Sequence, residues 1–264
     1  SNKLGWLRTE LTGAEPDFEK GVWVGIGHNA RLSIGYEGII DCWQQGNELL
    51  GETYAPRLVS VHDPDEYLQS AGDNETDRRN KFEDIKAAYR ALADLKKDGQ
   101  VKAIGVGAKD WYVIREMVRE IELDWVMFAN SLTLYSHPQE LVAFMTELQE
   151  AGVSVINSAV FNAGFLIGGA YFDYRHIDVD DPANRLLVTW REQFFKICRE
   201  FSIEPAQACI HFGQSHPAIQ SIALNTSNPE HVKRNIDAVE STVPAQFYTA
   251  IKEAGLIDRE YPYV

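Results

Sequence analysis

Strand-like and helix-like segments alternate along almost the whole chain, and this order constrains the fold more than any other feature. Apolar or β-branched runs typical of strands end near residue 4 and recur at 58–61, 101–106, 124–129, 153–157 and 219–224. Segments with apolar residues at helical spacing lie between them. This order predicts an α/β protein with one parallel sheet. A doubly wound fold would carry a glycine fingerprint between the first strand and helix, and its absence favours a barrel.

The composition is that of an acidic globular protein. The 264 residues fit one large α/β domain, residues 1–264, and 25 Lys and Arg against 39 Asp and Glu give a net charge of −14. Such a charge repels nucleic acid and anionic membrane surfaces, so we expect neither as a partner. The sequence shows neither an apolar run of membrane-spanning length nor a signal peptide. Three cysteines without CxxC spacing predict reduced thiols in a cytoplasmic protein.

Two polar residues stand at the ends of predicted strands. His62 follows the strand 58–61, which is closed by Asp63 and Pro64, and Lys3 lies near the end of the first strand. The carboxyl ends of parallel barrel strands are where such folds place their chemistry. Taken alone, however, a hydrogen-bonded structural histidine and a solvated terminal lysine are the simpler interpretations.

Three motifs give the chain a wider resemblance. These motifs are His62-Asp63-Pro64-Asp65, the segment 91–107 and the segment 227–235. In all three, the chain resembles the aldo-keto reductases. The segments 161–166 and 253–257 are similar to the D-threo-aldose (L-fucose) 1-dehydrogenase branch. The resemblance implies a (β/α)8 TIM barrel that binds a nicotinamide cofactor without a Rossmann fold. It also implies hydride transfer between that cofactor and a sugar or another small carbonyl compound.

The family's catalytic set is a tyrosine, a lysine, an aspartate and a histidine. Lys3 and His62 stand at the positions of the lysine and the histidine. A phenol with an ordinary pKa of about 10 needs a nearby cation to act as a base near neutrality, which is the role of the lysine. The family's aspartate and tyrosine lie upstream of the lysine strand and have no counterpart here. We therefore expect a truncated barrel that lacks the first two βα units, and we disfavour Tyr36 as a substitute because it starts a helix outside the barrel.

The resemblance also implies cofactor contacts, in the loops after the later strands. Gly107 and Ala108 stand where the family has a Ser-Asn pair that contacts the cofactor's carboxamide. Asn130 and Ser131, which follow the next predicted strand, could supply a polar group instead. The alternative is that Asn130 and Ser131 only cap the turn after that strand. His231 replaces an arginine that commonly binds the 2′-phosphate, so NAD is favoured and NADP is the alternative. The expected cofactor-binding residues are Asn130, Phe161, Asn162, Gly164, Leu166, Asn225, Ser227, Asn228 and Asn235.

The residues alone leave several alternatives open. The run 164–169 is either the family's loop near the pyrophosphate or a plain flexible loop, and Lys233 and Arg234 fit a solvated helix face better than a phosphate site. His211 and His216 share no helix face, so a zinc pair is not expected.

Two functions follow from the sequence. The first is an NAD(P)-dependent oxidoreductase acting on an aldose or a small carbonyl. The second is an inactive barrel remnant that binds nucleotide or sugar, since the tyrosine and aspartate are absent. Because a barrel short of two strands exposes sheet edges, we also expect an N-terminal segment or another chain to cover them.

Overall fold

The computed structural model describes residues 1–18, 25–51, 54–226 and 228–264. Within them, at least one helix lies between each two successive strands of the main sheet, as the sequence predicts. The strands are β1 (Asn2–Leu4), β2 (Trp6–Thr9), β3 (Asn29–Leu32), β4 (Leu58–Val61), β5 (Ala103–Ala108), β6 (Trp125–Ala129), β7 (Ser154–Ser158), β8 (Tyr171–Phe172), β9 (Arg175–His176) and β10 (Ile219–Ala223). The helices are α1 (Tyr36–Leu50), α2 (Pro64–Gln69), α3 (Glu75–Lys97), α4 (Trp111–Met117), α5 (Gln139–Glu150), α6 (Arg185–Phe201), α7 (Pro205–Gly213), α8 (Glu230–Glu240) and α9 (Ala245–Glu253).

Six of the strands form one sheet in the order β1-β4-β5-β6-β7-β10. The pairs β1–β4, β4–β5 and β7–β10 are parallel. The six strands correspond to the six apolar runs of the sequence, so the predicted α/β fold with a parallel sheet is confirmed. Val59, Val61 and Val106 are fully buried, which is why uncharged runs mark the central strands.

The chain divides into two compact units. The first comprises residues 1–108 and 112–126, and the second comprises residues 109–111 and 127–264. In the first unit, α1 buries Ile39 and Trp43, and α3 buries Ile85 and Leu92. These residues recur four or seven positions apart, so each helix presents one apolar stripe to the core.

The second unit has a core rich in phenylalanine. Phe128, Phe165, Phe194, Phe212 and Phe247 are each fully buried. Phe128 meets Phe144 edge to face with ring centroids 6.1 Å apart. Such rings remove large apolar areas from water, and their packing fixes the helices behind the later strands.

Three local predictions need correction. The polar segment up to about Ala30, rich in glycine and acidic residues, predicts a loop, but β2 and β3 pair there as an antiparallel hairpin. Residues 19–24 of this segment lie outside the described residues. The polar run 69–79 predicts an irregular connection, but α3 begins at Glu75, because the Asn74 side chain accepts the Asp77 N–H at 3.0 Å and caps the helix. The short helix α2 was not predicted either. Hydrophobic periodicity does not report cross-strand pairing or side-chain caps.

Within the described parts of the chain, we find no helix that combines the length and the apolar character needed to cross a membrane.

Two histidines of the second unit, the half-buried His137 and the buried His216, are bonded to the main chain as neutral rings. His137 Nε2 accepts the Asp258 N–H at 2.9 Å, while its Nδ1 donates to the Thr133 carbonyl oxygen at 3.2 Å. His216 Nδ1 accepts the Ala218 N–H at 3.1 Å, and its Nε2 donates to the Val142 carbonyl oxygen at 3.1 Å. Protonation of the accepting nitrogen, Nε2 in His137 or Nδ1 in His216, would place the new N–H against a main-chain N–H donor.

The same rings pack against the C-terminal tyrosines. His137 lies edge to face with Tyr261, and His216 lies edge to face with Tyr263. Burial lowers the pKa of His137, although Thr133 and the charge of Asp258 partly oppose this. Burial also lowers the pKa of His216 against its hydrogen bond to Val142. Both rings therefore favour the neutral form in the folded state.

We expect the free energy of unfolding to fall as the solution is acidified. A folded-state histidine pKa below the ordinary value of 6.5 means that the unfolded chain binds the proton first. This contribution to stability is complete above about pH 6.5 and is lost as the pH falls toward the folded-state pKa. Urea unfolding at a series of pH values measures the slope. His137→Gln and His216→Gln should flatten it, and His176→Gln, on an exposed strand, should not. An unchanged slope in the first two variants would contradict the expectation.

Candidate functional site

The pairing of β1 with β4 brings the two predicted catalytic residues to the same end of the sheet. Leu4 is in register with Val61, and the His62 N–H donates to the Leu4 carbonyl oxygen at 2.8 Å. Because the strands are parallel, their carboxyl ends lie side by side. Lys3 and His62 therefore lie close together, as the sequence predicts.

A third residue, Asp63, joins them. Its Oδ1 accepts the Lys3 ammonium at 2.6 Å, and its Oδ2 lies 3.2 Å from His62 Nε2. The side chains of Lys3, His62 and Asp63 are 45%, 31% and 25% exposed, so the cluster is reachable from solvent. The arrangement is a carboxylate held between two cationic or proton-donating groups.

The cluster keeps its carboxylate ionised. Burial alone would raise the pKa of Asp63, but the hydrogen bonds from His62 and Lys3 and their charges hold that pKa well below its usual range. The backbone of Asp63 has φ 35° and ψ 63°, in the left-handed region that few non-glycine residues adopt. Asp63 belongs to the motif that carries the family resemblance, but the sequence did not mark it as a site residue. Its position directly after His62 was the available signal.

Two tyrosines of the first unit, Tyr36 and Tyr67, are engaged in hydrogen bonds to carboxylates. Tyr36 donates its hydroxyl to Asp94 at 2.8 Å, and Tyr67 donates its hydroxyl to Asp84 at 2.8 Å. The hydrogen bond to Asp94 raises the pKa of Tyr36, and burial with Asp84 raises the pKa of Tyr67 to about 12. Both phenols are thus poor bases, which argues against Tyr36 as a substitute for the family's tyrosine.

The predicted cofactor residues lie in the second unit. Asn130, at the exit of β6, has φ 58° and donates its N–H to the Ser158 carbonyl oxygen at 3.3 Å. Its side-chain Oδ1 is buried and has no hydrogen-bond partner among the described residues. By contrast, Ser131 Oγ lies within 3.1 Å of the Lys109 and Ala129 carbonyl oxygens, so it supports the turn. Asn130 therefore has an unused buried acceptor, whereas the single O–H of Ser131 is engaged by the main chain.

The loop after β7 is fixed by its own contacts. Asn162 has φ 46° and donates Nδ2 to Asp173 Oδ1 at 3.1 Å, while its buried Oδ1 has no partner within the described part of the chain. Gly164, with φ 91°, leads into a 3-10 turn over Phe165–Ile167. Leu166 is fully buried, so only its main chain is available to a ligand. Phe161 is half-buried.

An arginine that the sequence did not single out holds the same loop. The Arg191 guanidinium lies 4.0 Å from the centroid of the Phe165 ring, and its Nη1 donates to the Gly169 carbonyl oxygen at 3.0 Å. These contacts support a preformed loop rather than a freely flexible one.

The segment before α8 is mostly occupied by local capping. Asn228 Oδ1 accepts the Glu230 N–H at 3.0 Å, and the Asn228 N–H donates to Thr226 Oγ1 at 3.1 Å. Asn225 is exposed and Asn235 is half-buried on α8, whereas Ser227 lies outside the described residues. Lys233 pairs with Asp237 at 2.8 Å on the helix surface, which supports the solvated-face interpretation.

These features define an α/β protein with a Lys-His-carboxylate cluster at the carboxyl end of neighbouring parallel strands. Residues 26–255 match the Aldo/keto reductase family, and the chain belongs to that family. Its fold is accordingly of the (β/α)8 aldo-keto reductase type.

Two curated relatives place the chain more closely. A pyridoxal 4-dehydrogenase of Microbacterium luteolum is 30% identical over 173 residues, covering 64% of this chain and 48% of the relative. A D-threo-aldose 1-dehydrogenase of a Pseudomonas species is 26% identical over 178 residues, covering 66% and 52%. The chain thus spans about half the length of the curated relatives it matches.

Solved structures agree on the fold. A glycerol dehydrogenase of Gluconobacter oxydans superposes with a TM-score of 0.62 at 14% identity, covering 98% of this chain and 72% of its own. A Gox0644 mutant in complex with NADPH superposes with a TM-score of 0.54 at 18% identity, covering 83% and 65%.

Proposed function

We propose that the protein is an NAD(P)-dependent oxidoreductase that transfers hydride between nicotinamide and an aldose or another small carbonyl compound. The observation that carries this proposal is the Lys3-Asp63-His62 cluster at the carboxyl ends of β1 and β4. An ammonium and an imidazole can orient a substrate oxygen and stabilise negative charge that develops on it. Both curated relatives are named dehydrogenases, one of them for an aldose, which supports the reaction class and the substrate class.

The second unit offers groups suited to a nicotinamide nucleotide. Asn130 Oδ1 and Asn162 Oδ1 are buried acceptors with no partner among the described residues, and a carboxamide or a ribose hydroxyl could donate to them. The main chain at Gly164 and the exposed Asn225 would contact the rest of the cofactor, along with Phe161, Leu166, Asn228 and Asn235. When bound, the nicotinamide supplies or accepts the hydride.

We propose NAD as the preferred cofactor and NADP as the alternative. His231 stands where the family commonly has an arginine for the 2′-phosphate, and its Nδ1 lies 3.3 Å from Thr226 Oγ1. An arginine guanidinium, which binds phosphate through two hydrogen bonds, would stabilise the additional 2′-phosphate of NADP more than His231 and Thr226 can. The NADPH complex of a structural relative is the reason for measuring both cofactors.

We also propose that further residues cover the β10 edge, supplied by an N-terminal segment or by another chain. β10 is the last strand in the sheet order, and α8 leaves Val232, Ile236 and Val239 exposed at 50%, 51% and 36%. A strand at the end of a sheet and an exposed apolar helix face each favour association with another element. The three buried free cysteines are in keeping with a cytoplasmic location, which we retain as part of the proposal.

We expect NAD to bind and L-fucose or a related aldose to be oxidised. The measurement is formation of NADH from NAD or of NADPH from NADP, with this chain and with an N-terminally extended one. Turnover confined to the extended protein would support the enzyme and assign the acid–base group to added residues. Turnover by this chain alone would place that group within residues 1–264.

A binding measurement separates the enzyme from the inactive remnant. Six tryptophans allow nucleotide titration by fluorescence quenching. Quenching without turnover in both proteins would favour the remnant that binds nucleotide. No quenching at millimolar NAD or NADP would contradict the oxidoreductase and the remnant that binds nucleotide, and would leave only the remnant that binds a sugar.

A further inference from the structure

We propose that Asp63 is a positioning residue that holds the Lys3 ammonium and the His62 imidazole in one fixed arrangement for the reaction. The proposal rests on the proposed function, because it assigns Asp63 a part in that same site. It goes beyond the resemblance, in which the lysine is paired with an aspartate from an upstream strand. In this protein the carboxylate that binds the ammonium follows the histidine directly.

The first argument is that the two carboxylate oxygens of Asp63 contact different partners. Oδ1 binds Lys3 Nζ at 2.6 Å, and Oδ2 faces His62 Nε2 at 3.2 Å. A charge-assisted contact of 2.6 Å fixes the lysine although 60 residues separate the two along the chain. The single carboxylate therefore sets the distance between the ammonium and the imidazole.

The backbone of Asp63 is the second argument. Its left-handed conformation costs free energy for a residue with a Cβ, and it persists only where the surroundings enforce it. Pro64 begins α2 immediately afterwards, and the Asp63 carbonyl oxygen accepts the Tyr67 N–H at 3.2 Å. The turn into α2 thus holds the main chain while the side chain reaches both partners.

The chemical consequence concerns the histidine ring. In the neutral ring, a carboxylate facing Nε2 selects the tautomer with the proton on Nε2 and leaves Nδ1 as the acceptor. Because the pKa of Asp63 lies well below its usual range, the carboxylate keeps its charge at all physiological pH values. Asp63 therefore acts as a permanent negative charge that fixes the tautomer of His62 and the place of Lys3.

The first test does not depend on turnover. Asp63→Asn removes the charge, and asparagine tolerates the left-handed backbone, so the fold should be kept. Ring nitrogen chemical shifts, recorded by NMR with ¹⁵N-labelled histidine, should show His62 mainly as the Nε2–H tautomer and as a mixture in the variant. Asp237→Asn is the matched control, because it removes the carboxylate of a lysine pair on α8. An unchanged His62 spectrum in Asp63→Asn would overturn the proposal.

The second test measures catalysis in whichever form of the protein turns over. Asp63→Asn should lower kcat by about 10- to 100-fold, because misplaced catalytic groups cost about that much, with a much smaller change in KM. Asp63→Glu keeps the charge and should recover part of the rate.

The outcomes separate the two proposals. A protein that turns over no aldose with NAD or NADP contradicts the proposed function, while the ring spectra still decide whether Asp63 positions His62. An active protein in which Asp63→Asn keeps the wild-type kcat contradicts the role of Asp63 alone. A loss of activity matched by a loss of folding in thermal unfolding, with an unshifted tautomer, would assign Asp63 a merely structural role and so overturn the proposal.

Discussion

Replacing Gly105 by alanine is expected to destabilise the folded protein by about 3 kcal/mol, at the upper end of the usual cost of overpacking a core. Gly105 lies in β5 in register with Ser60 of β4. A Cβ there would come within 2.1 Å of the Trp125 ring and 2.3 Å of the Trp125 carbonyl oxygen. Non-bonded carbon atoms rest about 3.5–4.0 Å apart, so the strand or the indole must move.

Chemical denaturation of Gly105→Ala measures this loss directly. Gly27→Ala is the matched control, because an added Cβ at this exposed residue has nothing within 4 Å. The double variant Gly105→Ala with Trp125→Leu should stay unstable, since the main-chain oxygen remains in the way. Wild-type stability in Gly105→Ala would show that β5 and Trp125 are not packed as described.

Replacing Asn157 by leucine should cost about 2–5 kcal/mol, because it leaves two buried carbonyl oxygens without donors. Asn157 is fully buried in β7, and its Nδ2 donates to the carbonyl oxygens of Leu132 at 2.9 Å and Gly213 at 2.8 Å. One amide thus ties a strand to the loop after β6 and to the end of α7. A leucine fills a similar volume but cannot donate a hydrogen bond.

Asn157→Asp gives a sharper form of the same test. An ionised carboxylate would face two carbonyl oxygens, so the loss of stability should increase as the pH rises and the group ionises. Asn47→Leu is the control, because Asn47 makes one such bond, to the Trp43 carbonyl oxygen at 3.0 Å on α1. Equal losses in Asn157→Leu and Asn47→Leu would contradict the role assigned to the buried amide.

The sequence predicted the regular elements well because their signals are local. The apolar run 58–61 and the helical spacing of Ile85, Leu92 and Leu95 each follow from burial of one segment. The family resemblance came from short contiguous motifs, and the match over residues 26–255 confirms it. The hairpin of β2 and β3 was missed because pairing between distant segments leaves no comparable local pattern.

By itself, the sequence determined the α/β class, the parallel strands and the family, and it proposed Lys3 and His62 as candidate site residues. Only the tertiary structure decided that Asp63 joins those two side chains and that Asn130 and Asn162 keep unused buried oxygens. It also decided that Asn228 is largely used as a cap. The physical reason is that hydrophobic periodicity acts within one element, whereas a hydrogen bond between residues 60 positions apart exists only once strand register has brought them within about 3 Å.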